Sequence, residues 1–250
     1  MVFDVRPGDA RSPVILHVPH ASRELTAAAR GSIVLDDGEL ADELDHLTDA
    51  HTDQIAYRVA SSIEPWIFVN GLSRLVVDPE RFPDEREEML AAGMGAVYTH
   101  GYAGRRLREA VEPGLIEEHF HPYAEAMTDL VAERLEATGR AVIIDVHSYP
   151  AVALPYELHG DGPRPPICLG ADDFHTPPEL LAPFGSFATA VNTPFAGCYV
   201  PLRYYGRERA VSAVMIEIRR DTYMIEPAGP PHDGLDAVAE ALTALVDAVS

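Results

Sequence analysis

The run Ala141-Val142-Ile143-Ile144-Asp145-Val146-His147-Ser148-Tyr149-Pro150 is an apolar, β-branched stretch that ends abruptly in Asp-x-His-Ser. Near-continuous Val and Ile over such a length is the signature of a strand buried on both faces, as in parallel sheets covered by helices. Polar groups at its carboxyl end then lie at the sheet edge, where open α/β sheets bind ligands. Val14-Ile15-Leu16-His17-Val18-Pro19-His20-Ala21-Ser22 repeats the pattern near the N-terminus. Two strands of this kind predict that His20 and His147 meet at one edge of one sheet. Imidazole pairs so placed hold a metal or shuttle protons. The blander alternative is that each histidine caps its own strand and bonds a nearby carbonyl.

The remaining pattern fits that architecture. Strand-like segments occur at Pro13–Val18, Trp66–Val69, Leu75–Val77, Ala141–His147, Pro166–Leu169, Gly197–Arg203 and Val211–Arg219. Helix-like segments at Asp49–Ser61, Ile116–Thr138, Pro177–Val191 and Leu235–Ala248 alternate with them. Strands alternating with helices predict βαβ units and a three-layer α/β fold, with a mixed, mainly parallel sheet and helices on both faces. With no repeat or clear linker, the 250 residues read as a single domain over 1–250. No apolar run reaches membrane-spanning length and Met1–Arg6 lacks a signal-peptide pattern, so the cytoplasm is the expected location. Cys168 and Cys198 are too few and too scattered for a disulfide framework.

Charge limits the partners. The formal net charge is −21, and every one of the 19 basic residues is an arginine. So acidic a chain repels phosphate backbones and anionic bilayers, which excludes nucleic acid and membrane as expected partners. The expected ligand is a small molecule. If it is an anion, the arginines around the site must overcome a repulsive background.

A metal held by two histidines needs a third ligand, commonly a carboxylate. The stretch from Asp42 to Asp53 is dense in candidates, Asp49 and Asp53 among them, and Glu24 follows His20 at close spacing. Spacing alone does not choose, and Asp49 could instead cap a helix. Glu217 is a lone carboxylate flanked by Ile216 and Ile218. Desolvated there it is costly unless paired or used. It is either a general base beside the metal or an outward-pointing partner of Arg219 or Arg207.

The chain resembles the N-formylglutamate amidohydrolase family, related in fold to the zinc carboxypeptidases. The resemblance is carried, in order, by Val18-Pro19-His20-Ala21-Ser22, Thr48-Asp49-Ala50-His51, Ser73-Arg74-Leu75-Val76-Val77-Asp78, His121-Pro122-Tyr123, Asp145-Val146-His147-Ser148, Arg203-Tyr204-Tyr205-Gly206, and Ile216-Glu217-Ile218 with Thr222-Tyr223-Met224. It implies one zinc bound by His20, Asp49 and His147, Asp49 being chosen because it lies in the matching Thr-Asp-x-His segment. It implies Glu217 as the base that activates water and returns a proton to the leaving amine. Arg74 would stabilise the oxyanion and, with Arg81, Arg203 and Tyr205, capture an N-acyl amino acid through its carboxylates. Iron, cobalt or manganese could replace zinc in such a site.

Departures from the family pattern at 78–82, 167–173 and 198–201 bear on substrate choice. Many members of the family read Asp-Leu-Asn-Arg-Pro where this chain has Asp78-Pro79-Glu80-Arg81-Phe82. Glu80 thus stands where a substrate carboxylate could be read, pairs with an arginine, or selects another N-acyl amino acid. Three rivals remain: a related amidohydrolase or peptidase using the same residues, a non-catalytic binding module, and a metal-free Ser/His/Asp hydrolase. Ser22 and Ser148 adjoin histidines, but no Gly-x-Ser-x-Gly elbow is present.

Overall fold

The computed structural model describes residues 3–157, 162–188 and 190–250. Met1 and Val2, from the stretch read for a leader, and Thr189, from the expected helix Pro177–Val191, lie outside them. Among the described residues the strands are β1 (Phe3–Arg6), β2 (Val14–Val18), β3 (Trp66–Asn70), β4 (Ala141–Tyr149), β5 (Ile167–Gly170), β6 (Ala190–Val191) and β7 (Val211–Arg219). They form one sheet in the order β1-β3-β2-β4-β7-β5-β6. The central strands β3, β2, β4 and β7 are mutually parallel. β1 is antiparallel at one side, and the parallel pair β5 and β6 joins β7 antiparallel at the other. The sheet is mixed and mainly parallel, as the hydrophobic runs imply.

Strand alternation divides the core. Val14, Leu16, Val142, Ile144, Val214 and Ile216 pack with α3 (Thr52–Ser62), α6 (Pro178–Leu181) and α7 (Gly234–Val249) on one face. Ile15, Ile143 and Ala213 pack with α5 (His121–Thr138) on the other. By the same period of two, His17, Asp145, His147 and Glu217 share the parity of the residues on the α5 face. α1 (Ala27–Ser32) and α2 (Asp37–Leu47) join a long irregular segment between β3 and α5 in two smaller apolar clusters. α2 begins with a capping box, in which the Asp36 carboxylate accepts from Glu39 N while the Glu39 side chain accepts from Asp36 N. α4 (Pro113–Leu115) leads through a π-helical turn at Ile116–Phe120 into α5, which stops at Gly139 with φ of 78°.

Two expected strands are not strands. Leu75 and Val76 lie in a turn, and Val77 has no regular structure. The buried Arg108 guanidinium donates to the Leu75 carbonyl, so that group has no need of a sheet neighbour. Gly197–Arg203 is irregular: Gly197 has φ of 85° and the Pro201 carbonyl accepts from Tyr204 N and Tyr205 N in a turn. The expected helix Pro177–Val191 breaks into α6, a 3-10 turn at Ala182–Ser186 containing Pro183, and β6. The helix expected from Asp49 starts only at Thr52. β1, α1, α2 and α4 lie outside every segment that the sequence pattern marks.

Candidate metal centre and active site

β4 and β7 run side by side in parallel register, with His147 directly opposite Glu217. His20 lies just beyond the end of β2, the other neighbour of β4. Asp49 is brought up from the connection between α2 and α3. Its backbone N–H donates to the His20 carbonyl, and its own carbonyl accepts from the Thr52 hydroxyl. The turn closes at His51, a non-glycine residue with φ of 67°, a conformation that recurs at functional corners. Asp49 does not cap α3; no side-chain cap bond is made there.

Three buried atoms converge. His20 Nδ1 lies 3.3 Å from His147 Nδ1, and Asp49 Oδ2 lies 3.7 Å from the first and 3.2 Å from the second. The opposite edges of both rings face other carboxylates. His20 Nε2 meets Asp78 Oδ1 at 3.0 Å. His147 Nε2 is 3.1 Å from Asp145 Oδ2 and 3.2 Å from Glu80 Oε2, aligned as a hydrogen bond with neither. With a proton on each Nε2, facing these carboxylates, both Nδ1 lone pairs would turn toward Asp49. Carboxylate–histidine pairs of this kind orient metal-ligating imidazoles. His20, Glu80 and His147 also present atoms within 4.8 Å of one another, as do His17, Glu80 and Asp145. The Nδ1 edges are the ones that Asp49 faces, while His20 Nε2 is already bonded to Asp78.

The electrostatics fit a cation. Burial alone would lower the histidine pKa values, as would Arg74 for His20. Asp78 and Asp49 nevertheless raise His20 above its ordinary value, while Asp145 and Glu80 raise His147 well above its own. The cluster therefore draws positive charge. Burial opposes ionisation of the acids too. Even so, His147, His20 and Arg220 hold Asp49 low, and Arg74 with His20 holds Asp78 low. Glu217 differs: burial dominates and pushes it up to about 7. Its Oε2 is buried without a hydrogen-bond partner among the described residues. It pairs with neither Arg219, which turns to Asp221, nor Arg207.

These groups line one cavity of about 810 Å³. Arg74 lies in its wall, paired through Nη2 and Nε to Asp78 Oδ2 at 2.7 and 3.2 Å and bonded to Tyr98. Arg81 reaches Glu87 at 3.3 Å and sits 3.7 Å from Asp78. Arg203 and Tyr205 line the same cavity, more exposed, with Arg203 free of any ion pair among the described residues. Glu24 and Asp53, the alternative third ligands, stay away from it; Glu24 is exposed and Asp53 lies in the first turn of α3. Glu80 is drawn in among His17, His20 and His147 instead of facing an arginine.

Sequence reasoning missed several contributors. His17 donates through Nδ1 to Asp145 Oδ1 at 2.8 Å and accepts from the Tyr123 hydroxyl through Nε2. Strand parity placed His17 and Asp145 beside His147, a signal that was available. Arg220 Nη2 donates to Asp49 Oδ1 at 3.0 Å; only its place just after β7 hinted at that.

The sequence profile of the N-formylglutamate amidohydrolase family matches residues 12–224. The chain belongs to that family. An N-formylglutamate deformylase of Pseudomonas aeruginosa is 28% identical over 251 aligned positions, covering 94% of this chain and 90% of that protein. Another, from Pseudomonas putida, is 25% identical over 231 positions, 86% of this chain and 83% of that protein. The crystal structure of an N-formylglutamate amidohydrolase from Ralstonia eutropha superposes with a TM-score of 0.81 at 20% identity, covering 98% of this chain and 95% of that one. As an N-formylglutamate amidohydrolase family member the chain is a hydrolase. The family match spans His20, Asp49, His147 and Glu217 alike.

Proposed function

We propose that this chain hydrolyses the N-formyl amide bond of an N-formyl amino acid, N-formylglutamate foremost, to formate and the free amino acid. The observation that carries the reading is Glu217, a buried carboxylate with one unpartnered oxygen, opposite His147 beside the converging atoms of His20, His147 and Asp49. Those three residues would hold a divalent metal, zinc being the expected one for two imidazoles and a carboxylate. Two lone pairs and a carboxylate oxygen turned on one another in a buried space fit a cation. Such an ion would polarise the formyl carbonyl and acidify water.

The protein's own groups supply the rest. Glu217, held near neutral pKa by burial, accepts a proton from the attacking water and delivers it to the leaving amine. Arg74 keeps a fixed guanidinium in the cavity wall, where negative charge builds on the carbonyl oxygen. Losing such a donor typically costs about 3 kcal/mol of barrier. Arg203, with no carboxylate partner among the described residues, and Arg81 are placed to take the substrate carboxylates, with Tyr205 beside them.

Elemental analysis joined to a formate-release assay tests this. We expect about one zinc per chain, activity abolished by chelation and restored by zinc, and Glu217→Gln reducing kcat by about 10²- to 10⁴-fold with metal retained. His147→Ala should lose both metal and activity. Bound zinc with no hydrolysis of any N-acyl amino acid would favour a binding module; activity indifferent to chelators would sink the metal. The cavity favours one second reading. Pockets of about 300–1,000 Å³ hold drug-sized ligands, so a larger N-acyl amino acid could be turned over by the same residues, and comparing kcat/KM across acyl and side-chain size decides it.

A further inference from the structure

Arg220 is 3% exposed, in a short 3-10 turn directly after β7. All three of its nitrogens are used. Nη1 donates to the His46 carbonyl at 2.7 Å, near the end of α2. Nε donates to Ser148 Oγ at 3.2 Å, and Nη2 to the Ser148 carbonyl at 3.4 Å, one residue after His147. Nη2 also donates to Asp49 Oδ1 at 3.0 Å, the one carboxylate it pairs with among the described residues. A single planar fork therefore ties together the end of α2, the Asp49 corner and the end of β4. It springs from a point three residues after Glu217.

A carboxylate ligand can bind through one oxygen or both, and it rotates unless held. Arg220 occupies Oδ1 and leaves Oδ2 as the oxygen turned to the histidine pair. We infer that Arg220 is a positioning residue: it makes Asp49 a one-oxygen ligand and presets the His20–Asp49–His147 triangle before any cation arrives. The inference rests on the reading of Asp49 as a ligand given under Proposed function. Lysine cannot replace the fork, because an ammonium is a point donor without the flat spread that reaches four acceptor atoms at once.

The test is zinc affinity of metal-free wild type, Arg220→Met, Arg220→Lys and Asp49→Ala, measured by competition with a chromogenic chelator, with circular dichroism and melts of the metal-free proteins as fold controls. Outer-shell partners are typically worth about 10- to 100-fold in metal affinity. We expect Arg220→Met to weaken zinc binding by that factor and Arg220→Lys to recover only part of it. In cobalt-loaded protein, release of Oδ1 should lower the visible absorption as coordination number rises. Folded Arg220→Met that binds zinc within about two-fold of wild type, with an unchanged cobalt spectrum, overturns the inference. If Arg220→Met does not fold, Arg220→Lys decides: affinity equal to wild type overturns it. Unchanged zinc binding by Asp49→Ala would instead sink the ligand assignment itself.

Discussion

At the scale of single residues, the contrast between Asp78 and Glu217 decides what each can do. Both are buried acids. Asp78 is ringed by Arg74, Tyr98 and His20 and stays ionised. Glu217 has only a more distant field to offset desolvation, and its pKa rises to about 7 from 4.5. The sign of the stability effect follows. A folded-state value above the unfolded one means that Glu217 favours the fold fully below the unfolded value, and this contribution is lost as pH climbs through about 7. Metal-free Glu217→Gln, which cannot ionise, should therefore melt near wild type at pH 5 and increasingly above it at pH 8. The limit is a few kcal/mol, since a tenfold change in an acid's ionisation constant is worth about 1.4 kcal/mol. Equal melting-temperature differences at both pH values would refute the desolvation account. His20, His147 and Glu217 were legible because each is a polar residue ending or interrupting an apolar run. Glu80 was legible as a departure, but its position was not. It lies in a loop after Asp78, where no periodicity says which way a side chain turns.

Elements with a regular period were read more easily than those held by side-chain bonds. β2, β3, β4, β5, β7, α5 and α7 follow from hydrophobic runs or stripes, with ends displaced by a few residues. Leu75–Val77 has the apolar content of a strand, yet it is held by Arg108, 33 residues after Leu75. That guanidinium is 1% exposed and donates to Ser32 Oγ at 2.8 Å, to the Tyr98 carbonyl at 2.7 Å and to the Leu75 carbonyl. Nothing local in the sequence announces a bond across that interval. With no carboxylate paired to it among the described residues, burial pushes its pKa down to about 10. Arg108→Met should leave two buried carbonyls without donors, each worth about 1–3 kcal/mol. We expect a melting temperature lower by several degrees. A proteolytic nick between residues 72 and 107, faster than cleavage elsewhere, would show that this segment loosens first. β1 escaped notice because four residues of half-exposed alternation are too short to separate from a loop.

Over the whole molecule, the net charge of −21 sets a field that a substrate bearing carboxylates must cross. The arginines of the cavity offset it only nearby, because the Debye length is about 10 Å at 0.1 M salt. Raising ionic strength from about 10 to 150 mM should lower KM for an anionic N-acyl amino acid and leave kcat nearly unchanged. A neutral amide analogue should show little response. A KM that rises with salt would mean that the arginine pairing outweighs the surface field. No helix among the described residues is long and apolar enough to cross a membrane. The rung that joins His147 to Glu217 across β4 and β7 has one further consequence. Adjacent strands are held about 4.8 Å apart by their own backbone bonds, whatever side chains they carry. That gauge belongs to the main chain, so the cavity-lining loops that carry Phe82, Arg203 and Tyr205 can be exchanged while the interval between His147 and Glu217 stays the same.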